Sequence, residues 1–126
     1  MGVGMPENIL ECIERGVDMF DCVVPTRNAR NGSVFSWQGK INIRNACYTN
    51  DFNRGLDETC TCYTCRHFTR GYLRHLIVAK EMLAATLLSV HNLHTLLQLA
   101  RDMRQAILES RFDRFADDFL AARNDT

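Results

Sequence analysis

The sequence predicts an α/β chain in which a metal-held loop separates a short helix-strand unit from three helices. Three observations carry this expectation. Residues 6–15 have helical spacing and lead straight into an apolar, β-rich octet at residues 17–24, and helix followed by strand is half of a βαβ unit. Residues 60–65 read CTCYTC, so three of the six cysteines fall within one short stretch. Between residues 67 and 122, leucine, methionine and phenylalanine recur at the spacing of helices that bury one face.

With 126 residues, 46% of them hydrophobic, the chain can build one ordinary globular core. The opening MGVG is expected as the tail of a parallel strand. PENILECIER forms a helix with Pro6 in its first turn, Ile9, Leu10 and Ile13 on one face, and Gly16 as its stop. VDMFDCVV reads as a strand ended by Pro25. Residues 25–32 read as a polar loop, and residues 33–35 and 40–44 as a small hairpin around Gln38-Gly39. Residues 46–65 lack periodicity, as expected of a loop held by a metal rather than by a core of its own. Helices are expected at residues 67–85, 91–110 and 111–122, with Ser110 capping the last. Their apolar stripes are core packing and receive no ligand role.

An even cysteine count in a short chain can mean a disulfide scaffold. Here the N-terminus MGVGMPENIL carries no basic stretch followed by a long apolar run, so no secretory leader is expected. In a reducing compartment clustered cysteines favour metal binding. A structural zinc site takes four ligands, commonly thiolates and imidazoles, in a tetrahedron. Cys60, Cys62 and Cys65 supply three, and the fourth must come from elsewhere. His67 would crowd the same loop, whereas His91 and His94 lie on the next predicted helix; spacing leaves both open. The plainer alternative is reduced cysteines in a turn and histidines lining a helix. Four protein ligands would close the site and make it structural.

Fifteen Lys and Arg balance fifteen Asp and Glu, but the balance is uneven along the chain. Residues 22–50 hold no acid, and Arg27, Arg30, Lys40 and Arg44 give that stretch a formal charge of +4. Acids collect instead at Glu109, Asp113, Asp117, Asp118 and Asp125. All cations except Lys40 and Lys80 are arginines, whose planar fork suits phosphate and base-edge contacts. The basic stretch reads either as a nucleic-acid contact or as solvated surface. No apolar run approaches the roughly 18 residues of a membrane span, so no membrane partner is expected.

Two acids, Asp18 and Asp21, interrupt the apolar octet. Three apart on a strand, they face opposite sides. In parallel α/β folds the C-terminal ends of strands carry the chemistry. Asp21, nearest that end and just before Pro25-Thr26-Arg27, is the better catalytic candidate; the alternative is a carboxylate that merely pairs with an arginine.

Taken together, MGVG, VDMFDCVVPTRNARNG, CTCYTC and HNLH at residues 91–94 closely resemble the C-terminal third of the bacterial tRNA-guanine transglycosylases, the base-exchange enzymes of queuosine biosynthesis. The resemblance covers essentially the whole chain. It implies an α/β fold, the C-terminal part of a (β/α)8 TIM barrel with a zinc-binding subdomain and C-terminal helices. Residues 1–32 would be the last barrel strand-helix-strand segment, 33–91 the zinc-binding subdomain and 92–126 the barrel-packing helices. It implies that Asp21 is the nucleophile, attacking the ribose anomeric carbon of an anticodon guanosine so that a 7-deazaguanine precursor of queuosine can replace guanine. It implies further that Arg27 and Arg30 hold the anticodon loop and that Met1 packs on the bound base. Cys60, Cys62, Cys65 and His91 match the family's Zn2+ ligands, which selects His91 over His94. The implied partners are the tRNA anticodon loop and guanine or a 7-deazaguanine base, in the cytoplasm, with a homodimer as a further expectation.

Family chains are much longer, and their general base and guanine-reading groups lie before the position of Met1. The 126 residues alone are therefore expected to be inactive. Two rival readings are a noncatalytic zinc-stabilised tRNA-binding module and a dimerisation module.

Overall fold

A computed structural model describes residues 2–124. Its elements run α1 (Pro6–Glu14), α2 (Val24–Arg30), β1 (Ser33–Ser36), β2 (Gly39–Asn42), a 3-10 turn (Ala46–Tyr48), α3 (Tyr63–His67), α4 (Arg70–Val78), α5 (Met82–Leu108) and α6 (Phe112–Asn124). No helix among them is long and apolar enough to cross a membrane.

The barrel expected from the resemblance is not visible in these residues. The sheet they form is the antiparallel pair β1-β2, in register Ser33↔Asn42, Val34↔Ile41, Phe35↔Lys40 and Ser36↔Gly39. The octet at residues 17–24 is not a strand: residues 17–22 take no regular structure, Val23 has helical φ and ψ, and Val24 opens α2. One backbone bond, from the Gly2 N–H to the Asp21 carbonyl at 2.8 Å, joins it to the N-terminal stretch. A strand exists only through ladder partners; here Met19 and Val23 face solvent, 88% and 61% exposed, while Phe20 and Cys22 are half-buried and Val24 is buried.

The predicted loop at residues 25–32 is largely helix α2. Pro25 lies in its first turn rather than closing a strand, a position where a missing N–H leaves no bond unmade. Gly32, at φ +84°, ends it. Arg27 and Arg30 fall in the last turn, where cations complement the helix dipole.

The C-terminal helices also divide differently from the expectation. The stretch predicted as one helix at residues 67–85 is cut at Lys80, whose φ is +60°. There the Glu81 N–H reaches the Leu76 carbonyl at 3.0 Å and the Lys80 N–H the Ile77 carbonyl at 3.1 Å, which is the Schellman closure of a helix. Ser110, expected as an N-cap, instead takes φ +57° and closes α5 in the same way, with Arg111 N–H on the Ala106 carbonyl at 2.8 Å. Helix α5 is consequently 27 residues long and starts nine positions before the predicted boundary.

This helix organises the packing. Its N-terminal half, through Ala84, Leu87 and Leu88, joins Ala29, Val34, Ile43, Leu56, Leu73 and Ile77 in one core. Its C-terminal half, through Leu99 and Met103, packs with Leu10, Ala116 and Phe119 in a second. Trp37 stands edge-on to Phe119, ring centroids 5.3 Å apart. Arg123 of α6 pairs with Glu7 of α1 and donates to the Ser36 carbonyl, tying both terminal helices to the hairpin.

Leu88 is fully buried in the first core, so Leu88→Ala is expected to lower stability by about 2–5 kcal/mol in denaturant unfolding of the metal-loaded chain. Met19→Lys, at a side chain 88% exposed, is expected to stay within about 0.5 kcal/mol of the parent.

Candidate metal centre and nucleophile segment

Residues 53–62 contribute Leu56 and Cys62 to the buried interior, so polar bonds must shape this loop. Asp57 accepts from the Trp37 N–H at 2.8 Å, the Thr59 N–H at 2.9 Å and the Thr59 hydroxyl at 2.7 Å. Burial alone would raise the Asp57 pKa, but the bonds from Thr59 and Trp37 hold it below the usual carboxylate range. From α4, Arg70 donates to the Gly55 and Leu56 carbonyls at 2.9 and 2.8 Å. At Gly55 the backbone passes so close that an added Cβ would lie 2.6 Å from the Cys65 carbonyl oxygen.

The loop then turns on its own sulfurs. The Cys62 N–H donates to Cys60 Sγ at 3.4 Å, and the Cys65 N–H donates to Cys62 Sγ at 3.3 Å. Cys62 thereby caps α3, whose N-terminal dipole favours a thiolate there. Thr64 Oγ1 donates to the Leu87 carbonyl at 2.6 Å and pins α3 against α5.

His91 comes from the middle of α5 and is fully buried. Its Nε2 lies 2.6 Å from the Phe35 carbonyl of β1, which places the neutral ring's proton on that nitrogen and leaves the Nδ1 lone pair free. Nδ1 faces Cys60, Cys62 and Cys65 Sγ at 3.6, 3.5 and 3.2 Å. Zinc bond lengths of about 2.3 Å to sulfur and 2.0 Å to nitrogen give tetrahedral S···N edges of about 3.5 Å, close to the three S···N distances here. The four atoms lie within 4.8 Å of one another, and the group could hold a metal ion.

Without a metal the crowded group holds protons, one of them on His91 Nδ1, that a bound cation would have to displace. Hydrogen bonds from Cys60 and Cys65 hold the Cys62 thiol far below its ordinary pKa. Cys65 is pushed far above by its bonds to Cys60 and Cys62. Burial disfavours a charged His91, yet Cys60, Cys62 and the Phe35 carbonyl push its pKa up to about 10. Three crowded sulfurs cannot all ionise against one another, and a central cation is what would let them.

The other sequence-derived candidates are not among the four convergent ligand atoms. His94, one turn after His91, borders the centre instead, lining a cavity of about 530 Å³ with Trp37, Asp57, Cys60, Asp102 and Phe119. Asp21 is exposed on the irregular segment before α2, and Arg27 and Arg30 are exposed on α2. Asp18 lines a groove of about 630 Å³ between that segment and α5. Met1 lies outside the described residues.

Sequence reasoning missed Asn92. It is fully buried beside His91, accepts from the Phe35 N–H at 3.0 Å, and donates to the Pro25 and Ser33 carbonyls at 2.9 and 3.1 Å. Its one signal was an amide inside a leucine-rich helix, where a buried polar group must find partners.

His91→Ala is expected to weaken Zn2+ uptake by more than about 100-fold, the upper end of what changes outside the ligand set cost. His94→Ala should leave the metal-to-protein ratio and affinity of the parent unchanged. Metal analysis and chelator competition on both variants measure this, and equal losses would remove the distinction between the two histidines.

Known proteins carry the same chain segment. The Helicobacter acinonychis protein named queuine tRNA-ribosyltransferase is 57% identical over 120 residues, covering 95% of this chain and 32% of that protein. Proteins of the same name from Helicobacter pylori and Moorella thermoacetica are 55% and 53% identical over 124 residues, each covering 98% of this chain and 33% of the relative. The chain thus spans about a third of the length of the curated relatives it matches. A family model described as queuine tRNA-ribosyltransferase matches residues 1–125, and the chain belongs to that family.

Proposed function

We propose that these residues are the C-terminal third of a tRNA-guanine transglycosylase. It would exchange guanine in the tRNA anticodon for a 7-deazaguanine precursor of queuosine. The observation that carries this reading is the family match over residues 1–125. In this reading residues 1–32 bear the nucleophile and the tRNA loop, residues 33–91 the zinc subdomain, and residues 92–126 the helices that pack on a TIM barrel. Helix α5 runs through the last two of these. The protein would work in the cytoplasm, and a homodimer belongs to the same reading.

Asp21 is the nucleophile of this proposal. As the bond from guanine to the anomeric carbon breaks, guanine keeps the bonding pair, and positive character builds on the ribose. A carboxylate oxygen stabilises that charge and then forms a C–O bond to the same carbon. The incoming deazaguanine nitrogen breaks that bond and returns the carboxylate, so two inversions preserve the configuration. Asp21 is exposed, as attack on a large nucleic acid requires. Arg27 and Arg30 follow it on the exposed side of α2, one turn apart, and would take phosphates of the anticodon loop. Met1 would pack on the base. Cys60, Cys62, Cys65 and His91 would hold Zn2+, which supplies a rigid tetrahedral anchor rather than a reaction step.

In a full-length protein containing this segment, Asp21→Asn is expected to abolish the covalent tRNA adduct on denaturing gels while tRNA binding persists. A persistent adduct would sink the assignment. Arg27→Ala and Arg30→Ala are each expected to weaken tRNA binding and to reduce the salt slope by about 1, measured by titration at several salt concentrations. The 126 residues alone are expected to release no guanine from labelled cognate tRNA.

A further inference from the structure

We infer that Asn92 is the positioning residue that transmits the metal centre's geometry to the arginine-bearing helix α2. The inference rests on the RNA-binding role proposed for Arg27 and Arg30. Its geometry is independent of that role.

A carboxamide offers one oxygen acceptor and two N–H donors. Asn92 uses all three on two elements. Its Oδ1 takes the Phe35 N–H at 3.0 Å, while Nδ2 donates to Ser33 O at 3.1 Å on β1 and to Pro25 O at 2.9 Å in the first turn of α2. Residue 91 holds the other end of Phe35, since His91 Nε2 meets its carbonyl at 2.6 Å. Two consecutive residues of α5 therefore clamp one residue of β1 through its N–H and its C=O. The first of them faces the three thiols, and the second reaches on to α2.

Helix α2 lies along α5 and against β1, and the Asn92 bond pins its first turn there. It has seven residues and no side-chain cap at its start, and isolated helices of that length are not stable in water. Its buried residues are Val24, Pro25 and Ala29, and Ala29 packs in the first core with Leu87 and Leu88 of α5. The Asn92 bond fixes the Pro25 carbonyl, two residues before Arg27. A metal-anchored His91 fixes the register of α5 against β1, and Asn92 passes that register to the helix whose outer face carries Arg27 and Arg30.

The test compares two metal-loaded variants. Asn92→Leu keeps the branched shape, with two methyl groups in place of the smaller O and NH2, and removes all three bonds. Leu99→Ala opens the second core, where Leu99 packs with Leu10, Met103, Ala116 and Phe119, so it loosens the fold without touching the thiols or α2. The expected result is that Asn92→Leu retains the parent's metal stoichiometry and speeds amide exchange at residues 27–30 by at least about tenfold. It should also weaken binding of a tRNA anticodon stem-loop in the full-length protein, and Leu99→Ala should neither speed that exchange nor weaken that binding. If Asn92→Leu fails to take up metal, Asn92→Asp serves instead; it keeps the acceptor toward Phe35 and loses both donors. Unchanged exchange at residues 27–30, or equal acceleration in the Leu99 variant, would overturn the inference. Should the parent bind no stem-loop, the RNA reading fails while the exchange comparison still decides the role of Asn92.

Discussion

One buried imidazole sets the geometry of this chain. A fully buried histidine must satisfy two ring nitrogens without water, and His91 does so with groups from two distant stretches of sequence. The Phe35 carbonyl takes the Nε2 proton at 2.6 Å. That contact fixes both the ring plane and the tautomer, and so aims the Nδ1 lone pair at the sulfurs, the arrangement by which a partner behind a metal ligand orients it. Neither half is sufficient alone. Without β1 the ring could rotate, and without the thiols its other nitrogen would be stranded in the core.

The cysteine loop has the complementary problem. It offers the core little beyond Leu56 and Cys62, so apolar burial cannot define its path. Asp57, Arg70 and the N–H···S bonds give it local shape, but these are bonds that water can replace when a loop opens. Joining thiols to a histidine 26 to 31 residues further on closes a long loop. Loop closure costs chain entropy only slowly with length, whereas a metal bound by the folded site alone adds its binding free energy to folding. A metal clip is thus efficient where a hydrophobic core is thin. The buried Thr64 hydroxyl extends that clip by locking α3 to the same helix one turn before His91.

What could be read from the sequence follows from which forces are local. Three thiols in six residues announce a shared centre whatever the fold. Choosing between His91 and His94 by spacing could not work, because residues three apart lie on nearly the same side of a helix; burial against β1 separates them, and burial is a tertiary property. Helix ends divide in the same way. At Gly16 the left-handed turn was legible because glycine takes positive φ freely, and Gly16 and Val17 close α1 with bonds to the Ile13 and Cys12 carbonyls. Lys80 and Ser110 make the same closure with side chains that give no such sign, so α5 was drawn too short and Ser110 was given the wrong end of a helix. Pro25 was ambiguous in principle, since a proline that cannot continue a strand is equally suited to begin a helix.

The octet VDMFDCVV shows how far local sequence can be right about tendency and silent about outcome. Its β-branched and aromatic residues favour an extended backbone, yet residues 17–22 take no regular structure and the octet's last two residues are helical. A strand also needs ladder partners, and those are supplied by other segments, not by the residues themselves. Among the described residues the Gly2 N–H is the group that meets it in this way, at the Asp21 carbonyl. With Met19 and Val23 turned to solvent, the segment has the chemistry of a buried parallel strand in an exposed setting. The burial such side chains call for would have to come from further chain, which is why Asp21 can be assigned a role by its place in the sequence but not by a pocket formed within these residues.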